Sequence, residues 1–168
     1  MTPDRRGATA DLRRLARDIA ADADTMDRLA DEVAAVAARP DPLGDEATAY
    51  LAVKVHGWYT ALETILERVA RVVEGGAPSG PTSHQDLLRG STLPLPGVRP
   101  AVLAPALLAD LSDLLAFRHF FRHAYAVSLD EARMRAHATV VGRVDAAVRA
   151  DLTAFVTTVL GWVDELEG

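Results

Sequence analysis

The chain has 168 residues, 49 % of them hydrophobic and 25 % charged, which are ordinary globular proportions and enough for one sizeable core. It contains no Cys, which excludes disulfide frameworks, thiolate zinc sites and cysteine nucleophiles. Its formal charge of −6, from 24 acids against 18 bases, argues against a protein that coats nucleic acid by charge alone.

From Leu12 to Val36 apolar residues recur at three-four spacing, interrupted only where Asp22 takes an expected apolar place. This predicts an amphipathic helix over about Ala10 to Ala38, capped by Thr9 or Asp11 and ended by Pro40 and Pro42. The series Leu51, Val55, Trp58, Leu62, Ile65, Val69 and Val72 predicts a second helix, begun after Asp45 and Glu46 and stopped at Gly75-Gly76. Beside its apolar series lie His56, Tyr59 and Glu63, a polar seam to which a structural role is assigned.

Ala77 to Arg99 is rich in Pro and Gly and reads as loop, with one helical turn at Ser83 to Arg89 held to the core by His84 and the Leu87-Leu88 pair. A third helix starts at Pro105 and shows Leu107, Leu111, Leu114 and Leu115. A fourth and longest, with Asp130 as N-cap, carries Met134, Val141, Val144, Val148, Leu152, Phe155, Val159 and Trp162, and places His137 near its apolar face. No alternating strand pattern and no repeat interrupts this, so the expected fold is a single all-α domain over residues 1–168, with an ordered core of about 10–165. Its architecture is an antiparallel bundle of four principal helices with the Pro/Gly-rich loop between the second and third.

Charge-free apolar stretches such as Pro100–Ala109 and Ala154–Val163 run ten residues, against the roughly 20 of a membrane helix, so no bilayer span is expected. Asp11, Arg13 and Arg14 interrupt any signal-peptide core, and the expected location is cytoplasmic.

Charge is unevenly spread: residues 87–150 carry eight bases against five acids, while the segments on either side are acidic. Within that cationic segment, Phe117 to Tyr125 is the densest cluster of Arg, His and aromatic residues, and no acid occurs between Asp113 and Asp130. Arg118 and Arg122 therefore have no sequence-local partner. A His titrates near neutrality and can move a proton, and an Arg holds a phosphate or the extra charge of its transition state. Together they suffice for attack of an RNA 2′-hydroxyl on its own phosphate without metal or other cofactor.

The simpler alternatives are core packing for Phe117, Phe120 and Phe121, and a solvated helix face for the two Arg. His119 and His123 have the spacing of a zinc pair, but neither an acid nor a Cys is at hand to complete such a site. Five residues place Arg118 and His123 about 140° apart on a helix, so either the helix distorts or the pair forms between two subunits.

Arg118-x4-His123-x-Tyr125 resembles the motif of HEPN domains, and more narrowly that of HepT-like ribonuclease toxins of HepT/MntA-type toxin–antitoxin systems. The runs Tyr59 to Leu66, Ser83 to Leu88 and Phe117 to Leu129 are similar to that branch as well. The resemblance implies a homodimeric, metal-independent endoribonuclease, acting on an RNA such as a tRNA or mRNA and paired with a minimal nucleotidyltransferase antitoxin. It implies Arg118 as phosphate holder, His123 as proton carrier and Tyr125 as the residue silenced by AMPylation, with His119 and Arg122 left to contact substrate. The alternatives are a silent helical module that docks the nucleotidyltransferase, and a metal-binding bundle.

Overall fold

The computed structural model describes residues 5–123 and 128–168. Tyr125, the expected modification site, lies outside them. The fold is all-α: α1 (Arg5–Ala37), α2 (Gly44–Val73), α3 (Ser83–Ser91), α4 (Leu108–His123) and α5 (Glu131–Glu167), with a 3₁₀ turn at Pro105–Leu107 leading into α4. The four long helices are those expected from periodicity. The single turn expected at 83–89 is a nine-residue helix, α3, seated by buried Leu87 and Leu88.

The first helix begins five residues before its expected start. Thr9 does not cap it, since its hydroxyl donates to the Arg5 carbonyl one turn back, and the segment Arg5 to Ala10 has no Pro to stop the helix from extending. Asp22, the interruption in the apolar stripe, pairs with Arg68 of α2. Further along, Glu32 of α1 meets Lys54 at 2.5 Å, so α1 and α2 run antiparallel.

Arg13–Glu167 at one end and Arg135 to the Ala37 carbonyl at the other set α5 antiparallel to α1 in the same way. Between them the Trp58 indole donates to Asp145 at 2.8 Å, a buried polar contact that fixes the register of α2 against α5. Asp130 caps α5 as expected, accepting from the Arg133 amide at 2.9 Å.

Helix α2 ends where Gly75 takes a φ of 82°, a left-handed turn that a residue with a Cβ resists, and the Gly76 amide returns to the Ala70 carbonyl. The following connection is tied by Arg99, which is buried and donates to Glu74, to the Leu93 and Pro100 carbonyls and to that of Gly90.

By length and composition alone α5 is a helix that could cross a membrane. In the fold its stripe of Val144, Val148, Leu152, Phe155, Val159 and Val163 is buried in the bundle.

Candidate functional site

The second half of α4 carries the cluster singled out above, and the helix sorts it by face. Phe117 and Arg118 turn inward and are buried, Phe121 is half-buried against the core, and His119, Phe120, Arg122 and His123 are exposed. The expectation of core packing thus holds for Phe117 and Phe121, while Phe120 stays 39 % exposed.

Inside, Arg118 is 8 % exposed and its Nη2 lies 2.5 Å from Oε2 of Glu63, which is 4 % exposed. The other Glu63 oxygen, Oε1, lies 2.8 Å from Nδ1 of His84 but makes no hydrogen bond, so this buried carboxylate pairs α2 with α4 and stands next to α3. Arg118 Nε has no hydrogen-bond partner. A solvated helix face, the simple alternative for Arg118, does not describe it: its partner comes from 55 residues upstream.

Tyr59, one turn before Glu63, is buried, and its phenol is pushed well above the usual range by burial and then by the Glu63 charge, with Arg118 opposing. His56, another turn back, has its ring 5.1 Å from Phe121. Burial first, then the charges of Arg118 and Arg122, hold its pKa below the ordinary value, and its Nε2 has no partner. The expected polar seam of His56, Tyr59 and Glu63 is therefore the surface on which the motif helix rests. Sequence reading named its members but missed that Glu63 neutralises Arg118; the available signal was an acid within a mostly apolar helical stripe.

Outside, His119 and His123 bring their rings to 4.7 Å, and the His119 carbonyl lies 2.8 Å from Nδ1 of His123. A carbonyl can only accept, so the hydrogen sits on Nδ1, and Nε2 is the nitrogen through which this ring can take a proton as a general base. Neither Arg122 nor His123 makes an ion pair among the described residues, and the Arg133 guanidinium stands 5.9 Å from the Phe120 ring centre. His137, expected near the apolar face of its helix, is half-buried with its ring 4.6 Å from Phe117.

Metal ligation points elsewhere than His119 and His123. Among the described residues the group able to converge on an ion is Glu63, Glu67 and His84, with ligand atoms within 4.8 Å of one another. Two of its members are already engaged, Glu63 by Arg118 and Glu67 by Arg71, and those cations oppose a further positive charge.

No curated protein and no solved structure matches the chain. A family model of HepT-like proteins matches residues 50–159, more than half of the chain, from the early turns of α2 through all of α4 and into the last third of α5. The chain belongs to the HepT-like family.

Proposed function

We propose that the protein is a metal-independent endoribonuclease, the toxin of a toxin–antitoxin pair, working as a cytoplasmic homodimer. The observation that carries this reading is the exposed end of α4 in a HepT-like chain. There His123 offers a free Nε2 beside His119 and Arg122, with no acid paired to them among the described residues.

In the reaction a His123 Nε2 takes the proton of the 2′-hydroxyl, whose oxygen attacks the adjoining phosphorus. The bond to the 5′-oxygen breaks, and that oxygen takes a proton from water as it leaves, while the His123 imidazolium returns its proton to solvent. The products are a 2′,3′-cyclic phosphate and a 5′-hydroxyl. His119 and Arg122 hold the RNA backbone.

Arg118 has a defined starting point in this scheme. Its Nη2 is on Glu63, so it reaches a phosphate only by leaving that carboxylate; while paired, it positions α4. The antitoxin in this proposal is a minimal nucleotidyltransferase that transfers AMP from ATP to the hydroxyl of Tyr125, two residues beyond His123 in sequence, with release of pyrophosphate, and the added bulk and negative charge would oppose RNA phosphate.

A second reading has an observation of its own. Arg118 buried in an ion pair favours a structural role for the motif, as in a silent module that docks the nucleotidyltransferase.

The test is RNA cleavage in excess chelator by protein whose Tyr125 is shown unmodified by mass spectrometry. Wild type is compared with His123→Ala, Arg118→Ala and Arg118→Lys, each checked for helicity. Cleavage by wild type that is lost in folded His123→Ala supports the nuclease. Absence of cleavage of any cellular RNA by the folded wild type selects the docking module.

A further inference from the structure

About 200° around α4 from Arg118, on the side away from Glu63, a cavity of about 570 Å³ opens between α4 and α5. Buried Phe117 and Met134 and half-buried His137 line it, together with exposed Asp113, Phe120 and Arg133. Phe120 is the most exposed Phe of the motif cluster, and Arg133 sets a planar cation over its ring. A ring face and a guanidinium plane are the two protein surfaces on which an unstacked base rests well.

Asp113 adds a direction. Its carboxylate makes no ion pair among the described residues, and Arg143, the neighbouring cation, pairs with Asp110 instead.

We infer that this cavity is a subsite for an unpaired guanine of an RNA strand, with Phe120 and Arg133 stacking the base and Asp113 accepting from its N1–H and N2–H. The inference rests on the ribonuclease reading and gives it a base preference. An ionised carboxylate accepts and does not donate, so it matches the two adjacent donors on the Watson–Crick edge of guanine. Adenine, cytosine and uracil each present a donor beside an acceptor that would face the negative charge. His137 adds no charge to the wall at neutral pH: burial, then the nearby Arg133, keeps its pKa low, with Asp113 opposing. His123 follows Phe120 by three residues, about 4.5 Å along the helix axis and about 60° around it. The guanine therefore belongs to a nucleotide adjoining the phosphate that reaches His123.

The probes are labelled single-stranded 2′-O-methyl hexanucleotides, which bind without being cut. One is all uridine, one carries a single guanosine and one a single adenosine, and binding is read by fluorescence anisotropy at fixed salt. The same proteins are assayed for cleavage of the corresponding unmodified RNAs. The wild type should bind the guanosine probe about tenfold more tightly than the other two. Phe120→Ala should lose about tenfold on the guanosine probe. Asp113→Asn should erase the preference for guanosine over adenosine. Both positions are exposed, so the variants fold.

Equal affinity for the three probes, or unchanged affinity in Phe120→Ala, overturns the subsite. If wild type still cleaves RNA in that case, the nuclease reading stands without it. Guanosine binding that depends on Phe120 and Asp113, with no cleavage of any RNA, keeps the subsite and removes the nuclease.

Discussion

On the inner side of α4, Arg118 lies against Glu63, itself next to His84, all three drawn from different helices; on the outer side, His119, Arg122 and His123 stand in solvent with no acid paired to them among the described residues. The residue types are the same on both sides, Arg and His, close in sequence outside and brought together from separate helices inside. What differs is the partner. A buried guanidinium without a counter-charge is too costly to keep, so burial of Arg118 requires Glu63. An exposed one costs little and remains free to take an anion. In the proposed reading the inner pair holds the helix and the outer group does the chemistry.

The sharpest way to break this division is to exchange the expected consequences. His123→Ala should lower RNA cleavage about 10²–10⁴-fold, the usual worth of a general acid–base. Its unfolding free energy should stay within about 0.5 kcal/mol of wild type, as for an exposed site. Single-turnover cleavage beside urea denaturation reads both; a large stability loss would place His123 with the inner group.

Glu63→Ala should show the reverse pattern, leaving Arg118 buried with no counter-charge at a cost of about 3–5 kcal/mol. Glu63→Met combined with Arg118→Met should recover much of that loss, because two apolar side chains need no partner. A double variant no better than Glu63→Ala would mean that the pair is not what makes the site polar.

Periodicity made the bundle legible because each long helix buries an apolar stripe, and the spacing of Leu51 to Val69 or Met134 to Val159 has no other economical reading, although Val72, the last of the α2 series, is exposed. The start of α1 was less so: Arg5 to Ala10 contains neither a Pro nor a strong cap to mark a boundary, and Thr9 bonds backward within the helix. The motif was legible as a cluster, but its division into faces was not. That division depends on Glu63, 55 positions away, and local spacing says nothing about which acid on another helix will meet Arg118. Asp22 posed the same problem, explained only by Arg68 across the α1–α2 contact.

A smaller effect is expected at the entry to α5, which carries Arg133 into the cavity beside Phe120. Asp130→Ala removes the acceptor for the Arg133 amide and should cost about 1 kcal/mol. Asp130→Ser should restore most of it, since Ser caps nearly as well, and thermal unfolding followed by circular dichroism distinguishes the two.

The smallest effect concerns pH, and it separates the two sides of α4 once more. His56 faces the inner side, where burial and the charges of Arg118 and Arg122 hold its pKa below the ordinary value of a free imidazole. In the unfolded chain it regains that ordinary value, so in the window between the folded and unfolded pKa the unfolded state binds more protons. Stability contributed by the neutral ring is therefore present at higher pH and is lost as pH falls below about 6.5. His137, lowered chiefly by burial, acts in the same direction. Replacing His56 by Leu should flatten the decline in unfolding free energy between neutral and mildly acid pH. Identical slopes for wild type and His56→Leu would show that the acid sensitivity of the fold arises elsewhere than at the surface on which α4 rests.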